Sequence, residues 1–420
     1  MGKSKMIFIL SKLSNIKQEL YLMKGKVWIL CIYALIFSFS CKSQSAEQSR
    51  SLPEIKMGAS QTDVYFPFLE GKQVGLVVNQ TSIIKEKHLV DFLIKKKIEV
   101  SKIFAPEHGF RGDADAGEKI EDGKDKTTGL PVLSLYGKSK KPSPEMLNGI
   151  EVMVFDIQDV GVRFYTYIST LHLVMEACAE QNIPLVVLDR PNPNGDYVDG
   201  PVLEEGFESF VGMHPIPIVH GLTVGELAKM INGEKWLKNG VQCDVTIVPM
   251  EHYSHKRFYD LPVKPSPNLP NYQSIRLYPS LCLFEGTTIS AGRGTMIPFQ
   301  IYGHPDPEAG PFSFTPRSID GMAKYPKFEN QTCYGYDLRE DENARTFSLE
   351  YLLDAYFHYK DKENFFLKNK FFDKLAGSDQ LRKQIKANLS EDEIRLSWQD
   401  RLTEYKKMRK QYLLYPDFEL

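Results

Sequence analysis

From about residue 64 onward, short runs that are apolar at every position alternate with longer segments whose apolar residues recur every three or four positions. "QVGLVVNQTS" is such a run, "HLVDFLIKKK" has helical spacing, and "VSKIFAPEHG" is a second run, which together predict a strand, helix, strand unit. The alternation continues: "IEVMVFDIQDVG" reads as a strand, "TYISTLHLVMEACAEQN" as a long helix, "IPLVVLDRPNPNG" as a strand, "TVGELAKMINGEKWL" as a helix and "CDVTIVPM" as a strand. Strands that are apolar on both faces and separated by helices need covering on both sides. The expected fold is therefore α/β, a Rossmann-like parallel sheet with helices on both faces. "VKPSPNLPNYQSIRLYPS" is too rich in proline for either element and marks the expected domain transition. The chain is accordingly divided into a Rossmann-like catalytic domain over 64–270 and a smaller mixed α+β C-terminal domain over 271–420. In the latter, "SLEYLLDAYFHY" and residues 378–415 read as helical, and 284–303 as strands and loops.

Ahead of this pattern lies a different grammar. "MKGKVWILCIYALIFSFSC" has lysines, an apolar run and small residues before Cys41, which is the order of an export signal. The apolar run is shorter than the roughly 20 residues of a membrane-spanning helix, and the polar "KSQSAEQSR" follows at once. Residues 1–41 are expected to be a signal peptide ending at a lipidated Cys41, with 42–63 a polar tether and Met23 the natural initiator; ordinary secretion is the alternative. A membrane partner through the Cys41 lipid and a periplasm-facing place in the cell envelope follow from this expectation.

Composition narrows the function classes. A formal net charge of −2 over 420 residues leaves no general basic field of the kind nucleic acid recruits, so no nucleic-acid partner is expected. Cys178, Cys243, Cys282 and Cys333 are scattered without CxxC spacing, as buried thiols are, and they indicate neither a zinc site nor a disulfide framework. The first strand-to-helix turn, "VVNQTSIIKEK", lacks the glycine fingerprint of a dinucleotide site, and P-loop spacing is absent. No cofactor and no metal are expected.

Polar groups instead stand at the strand ends. Asn79 follows the first strand, Glu107 and His108 the second with Arg111 close behind, Asp156, Gln158 and Asp159 the third, and Asp189, Arg190 and Asn192 the fourth. In an open parallel sheet these ends share one edge, where ligand crevices form. A polar residue opening a loop is ordinary. Carboxylates beside imidazole and guanidinium groups at consecutive ends are less so, because they shift one another's pKa and supply acid, base and anion clamp together. Glu285 and Arg293, in a glycine-rich stretch, are placed either over the cleft or in a structural ion pair. Tyr165 is a candidate for stacking on a sugar, or simply core.

The stretches "FAPEHGFRGDADAGEKIEDGKDKTTGLPVLSLYG", "VFDIQDVGVRFYTYISTL", "LDRPNPNGDYVDGPVLE" and "LFEGTTISAGRGT" together resemble the NamZ family of exo-acting β-N-acetylmuramidases, over roughly residues 72–420. The resemblance implies a two-domain glycosidase that removes N-acetylmuramic acid from the non-reducing ends of peptidoglycan fragments, with muramyl saccharides as its partners. It makes the PEHG glutamate, Glu107, the first catalytic candidate, and puts His108, Asp156 and Asp159 in the same pocket. Two departures, Thr288 where the family motif carries Asn and Asp196 where it carries Gly, bear on substrate preference rather than reaction class.

The chemistry fits. Glycoside hydrolysis needs a proton donor and a second group that attacks or stabilises the oxocarbenium-like centre. With Glu107 as donor, the second group is Asp156, Asp159, Asp189 or Glu285, or the acetamido group of the substrate itself. The lactyl carboxylate that distinguishes muramic acid calls for a cation, and Arg111, Arg163, Arg190 and Arg293 are the candidates. Asn79, Gln158, Tyr165, Asp189 and Asn192 complete the expected substrate-binding set, with Glu285. Two rival readings are a non-catalytic peptidoglycan-binding lipoprotein that keeps the cleft and a metal-dependent hydrolase that uses Glu107, His108, Asp156 and Asp159 as ligands.

Overall fold

The computed structural model describes residues 53–419 apart from 108, 111–121 and 138. The strands are β1 (Val74–Val78), β2 (Val100–Ala105), β3 (Gly123–Lys124), β4 (Pro131–Ser134), β5 (Val152–Asp156), β6 (Leu185–Leu188) and β7 (Val245–Val248). They form one sheet in the order β3-β4-β2-β1-β5-β6-β7, parallel except where the short β3 pairs antiparallel with β4 at the edge. Every residue of β1, β5 and β6 is buried, the signature of a sheet covered on both faces. Alternate side chains feed two cores. Leu76, Val78, Val152 and Val154 pack with helices α1 (Thr62–Leu69) and α2 (Leu89–Lys95), through residues such as Tyr65, Leu69 and Leu93. Val77, Phe104, Met153 and Phe155 pack with α3 (Tyr167–Gln181) and α4 (Val224–Gly233), and that core continues into the second half of the chain.

The second half carries a small antiparallel sheet, β8 (Ile301–His304), β9 (Phe312–Phe314) and β10 (Cys333–Asp337), in the order β8-β10-β9, among helices. Residues from Ile55 to Leu420 form one compact unit. Residues 55–63, expected to belong to a tether, are built into it: Lys56 pairs with Glu251 across a β-bridge, and Gly58 N–H donates to the Asp189 carbonyl. Among the described residues, no helix is long and apolar enough to cross a membrane, and Cys178, Cys243, Cys282 and Cys333 are free and buried.

Within "VKPSPNLPNYQSIRLYPS", the second part is a helix after all, α5 (Tyr272–Leu281). Asn271 starts it, accepting from Ser274 N–H at 2.9 Å in a capping box. Pro279 sits inside it and leaves the Ile275 carbonyl, four residues back, without its helical donor. Asn194 Nδ2 supplies the replacement at 3.2 Å. The proline that argues against a helix in the sequence is thus offset by a side chain from a loop some eighty residues away.

Candidate active site

The chain runs from β1 to β2 on one side of the sheet and later enters β5 on the other side of β1, so the order reverses beside β1. A crevice is expected outside the carboxyl ends of strands at such a reversal. A cleft is there, about 150 Å³ in volume and partly open to solvent. Glu107, Thr166 and Tyr167 line it from the sheet side, and Tyr278, Glu285 and Arg293 from the second half.

Glu107 stands just past the end of β2. Thr166, the residue ahead of α3, makes no cap to its own helix; its Oγ1 instead donates to Glu107 Oε2 at 2.6 Å. Tyr136, two residues beyond β4, also hydrogen-bonds to the Glu107 side chain; burial pushes its phenol up and the adjoining carboxylate adds to the rise, while Arg293 opposes it. The hydroxyls of Tyr165 and Tyr167 converge on the Pro265 carbonyl at 2.7 and 3.3 Å, fastening the start of α3 to the proline-rich crossing. Facing them, Arg293 Nη1 lies 3.5 Å from Glu285 Oε2, a loose pair with both side chains partly exposed. Burial drives the Tyr278 phenol far up, followed by the nearby Cys282, and both Glu107 and Glu285 add to it, so one ring lies in the field of both carboxylates.

Of the expected residues, the structure thus brings Glu107, Tyr165, Glu285 and Arg293 to the cleft. His108, Arg111 and Cys41 lie outside the described residues. The others do not line it, and their side chains have partners that can be named. Asp156 is fully buried and grips Arg190 through Nε and Nη2, the latter at 2.8 Å, so neither is free for a sugar. Asp189 accepts from Thr223 Oγ1 at 2.7 Å, Tyr415 OH at 2.6 Å and Gly225 N–H at 2.8 Å, serving the amino end of α4. Burial pushes its carboxyl up to about 6, held back by the two hydroxyls. Asp159 accepts from Gly161 N–H at 2.6 Å, and burial takes it up to about 7 against the pull of backbone N–H groups.

Asn192 and Gln158 shape the same loops. Asn192 Oδ1 accepts from Asn194 N–H at 2.8 Å and its Nδ2 donates to Leu222 O, while Gln158 Nε2 donates to the carbonyls of Asp159 and Pro191. Gly161 must be glycine here: its φ is +77°, and a Cβ would come 2.1 Å from the Asn192 amide. Asn79 Oδ1 accepts from Thr81 N–H at 2.9 Å in the turn after β1. Arg163, a lactyl candidate from the sequence, has no exposure at all; it donates to the carbonyls of Pro201, Ile216 and Leu375 at 2.7 to 2.8 Å. With no carboxylate beside it, burial lowers its pKa to about 9, with Arg401 adding a little. Asp196, one of the departures from the family motif, is held by Arg276 at 2.6 Å.

Sequence reasoning missed Tyr136, Thr166 and Tyr278. The signal for Tyr136 was present: "PVLSLYG" is a strand whose carboxyl end falls on the same sheet edge. Among the described residues, no cluster of three or more His, Cys, Asp or Glu is arranged to hold a metal.

Comparison with known proteins agrees with the geometry. The family model described as exo-β-N-acetylmuramidase NamZ, N-terminal, matches residues 74–273, and its C-terminal counterpart matches 276–415. Peptidoglycan β-N-acetylmuramidase NamZ of Bacillus subtilis (strain 168) is 39% identical, over 92% of this chain and 97% of that protein. Two crystal structures of DUF1343 family proteins from Bacteroides fragilis NCTC 9343 share the fold. One is 47% identical with a TM-score of 0.80 over 87% of this chain and 99% of its own. The other is 31% identical with a TM-score of 0.75 over 86% and 99%. With both of its halves matched end to end, the chain belongs to the NamZ family of exo-β-N-acetylmuramidases.

Proposed function

We propose that this protein cleaves N-acetylmuramic acid from the non-reducing ends of peptidoglycan fragments, with Glu107 as proton donor, Glu285 as the second carboxylate and Arg293 as the cation for the lactyl group. The observation that carries this reading is that Glu107 and Glu285, from opposite halves of the chain, border one cleft and both act on Tyr278. Asp156 and Asp189 are spoken for by Arg190 and by the α4 amino end, and Asp159 by the Gly161 turn, so that of the four carboxylates named from the sequence for the second role Glu285 is the one that borders the cleft.

In the reaction, Glu107 passes its proton to the glycosidic oxygen as the bond from that oxygen to C1 breaks. Positive charge then gathers at C1 and the ring oxygen, where the negative charge of Glu285 opposes it. Water supplies the new oxygen at C1, and its proton returns to a carboxylate. Arg293 offers a planar pair of donors to the lactyl carboxylate, a match of shape as well as charge. Tyr136 and Thr166 hold the Glu107 carboxylate in one orientation, the preorganisation that spares the reaction a rearrangement. The proposal extends to place: the signal-like "MKGKVWILCIYALIFSFSC" supports export, lipidation at Cys41 and a periplasm-facing anchor in the envelope.

The test is release of chromophore from an aryl β-N-acetylmuramide by the purified protein, with and without a chelator. Turnover that survives chelation and is lost in Glu107→Gln supports the assignment. Binding of muramyl saccharide without any turnover would instead make the protein a carbohydrate-binding lipoprotein, and turnover lost on chelation would make it a metallohydrolase.

A further inference from the structure

Behind the turn that carries Glu285 lies one ammonium group. Lys327 Nζ is 2.8 Å from the Phe284 carbonyl, 3.3 Å from that of Glu285, 2.8 Å from that of Thr287 and 3.2 Å from that of Ile289. These oxygens belong to the short 3₁₀ turn Cys282–Gly286 and the stretch that follows, where the carbonyls of a helical end need donors; that of Phe284 also accepts from Thr287 N–H and Thr287 Oγ1, each at 2.9 Å. A left-handed glycine is the usual remedy. Here a lysine reaches in from a distant segment, and its N–H groups are all committed to backbone oxygens.

The segment that supplies it, residues 317–330, leans on the other walls of the cleft as well. Arg317 N–H donates to the Gly294 carbonyl at 2.8 Å, and a Cβ on Gly294, whose φ is +83°, would lie 2.7 Å from the ring of Pro326. Asn268 Nδ2 donates to the Met322 carbonyl at 2.6 Å. The walls bearing Glu285, Arg293 and Asn268 therefore rest on one brace, and all three of these residues line the cleft.

We propose that Lys327 is a positioning residue for the hydrolysis: by gathering the four carbonyls onto one cation it fixes the turn of Glu285, and with it the place of the second carboxylate opposite Glu107. The proposal rests on the reading of Glu285 as that carboxylate. Lys327 does not touch the sugar; it acts through the turn and through its charge. Burial lowers its own pKa, Glu285 opposes that, Arg293 adds to it and Cys282 opposes it, and these are the ionisable groups among the described residues that act on it.

Three variants test this in the full chain with the aryl muramide: Lys327→Met, Lys327→Arg and Glu285→Gln. In Lys327→Met, kcat is expected to fall about 10²-fold, the scale of a roughly 1 Å misplacement at a reacting centre, with KM within about threefold, as expected where ground-state binding is spared. The acidic limb of its kcat profile should move up, because a cation has been taken from the cleft wall. Lys327→Arg keeps the charge but presents a planar fork in place of a point donor, so its limb should stay at the wild-type pH while kcat falls to an intermediate value. Should Lys327→Met fail to fold, Lys327→Arg carries the test: reduced kcat at unchanged KM supports the role, and wild-type kcat overturns it. A folded Lys327→Met with wild-type kcat and an unmoved limb overturns it too. Glu285→Gln keeps the two readings apart. If it turns over normally, Glu285 is not the second carboxylate and the role of Lys327 falls with it. If it is inactive while Lys327→Met is normal, only the positioning role is lost.

Discussion

The carboxylates at the ends of β5 and β6 and those of the cleft wall were all candidates from the sequence, and they have opposite fates. Asp156, Asp159 and Asp189 are buried beneath the loops that follow their strands, answering Arg190, a turn N–H and a helix start. Glu107 stands two residues past the end of β2 and Glu285 within the 3₁₀ turn Cys282–Gly286, both partly exposed, with room beside them. A carboxylate at the last residue of a central strand is overrun by the crossing chain, and the loop, tightly wound, needs acceptors for its own N–H groups. Glu107, two residues past β2, stays clear of such a loop and borders the cleft, whereas Asp159, three residues past β5, is buried by its own turn. The path of the loop after the strand, more than residue type, separates scaffold from cleft.

The sharpest way to break this contrast is to replace one member of each set. Glu107→Gln should lower kcat by about 10³-fold, the range of a lost general acid, while its urea-unfolding midpoint stays at the wild-type value. Asp156→Ala should do the reverse. It leaves Arg190 buried without its partner, at a cost of about 3–5 kcal/mol, which urea denaturation would read as lost stability, with the turnover per folded molecule largely kept. A catalytic collapse in a well-folded Asp156→Ala would move that residue back to the site.

A smaller effect divides the arginines. Arg293→Ala should raise KM for muramides by about 10–100-fold, in keeping with the ~1.5–3 kcal/mol of a hydrogen bond to a charged group, and should blunt the preference for muramide over the corresponding glucosaminide. Arg163→Ala should cost stability with no such change in preference. If steady-state kinetics showed the selective loss in Arg163→Ala instead, the cleft would have been drawn in the wrong place.

The smallest effect concerns pH. Asp159 and Asp189 bind protons more tightly in the folded chain than an exposed carboxyl does, at about 7 and about 6 respectively. Their contribution to stability is complete below the unfolded value near 4 and is lost as pH rises through those folded values. Each adds a slope of at most about 1.4 kcal/mol per pH unit. Asp159→Asn should therefore narrow the stability difference between pH 5 and pH 8 in urea melts.

The same contrast explains what could be read from the letters alone. The central strands were legible because burial on both faces leaves unbroken apolar runs such as "VMVFD". Strand β4, short and intermediate in exposure at all four positions, gives a weaker signal than such a run, so Tyr136 beyond it went unseen. Helix α5 was hidden because the residue that makes Pro279 tolerable, Asn194, is remote in sequence. β9, with its mixed exposure, and β8 are as brief as the turns around them. Of the residues lining the cleft, Glu107 could be named from its strand end, Glu285 and Arg293 from their glycine-rich stretch, and Tyr165 from its place at a helix start. The inward turn of Asp156, Asp189 and Arg163 depends on the loop path, which no local pattern records.

Arg163 has one more implication, for anyone who would recombine this enzyme. Its guanidinium joins Pro201 and Ile216 in the first half to Leu375 in the second, with the ring of contacts closed by carbonyl dipoles alone. A chimera that grafts a foreign second half onto residues 55–270 would have to return an oxygen to the spot now filled by Leu375, or else strand a dehydrated cation at the seam. The two halves, though recognisable as separate family segments, are thus poor interchangeable parts, and engineers seeking new sugar preferences should vary the cleft wall and leave the seam intact.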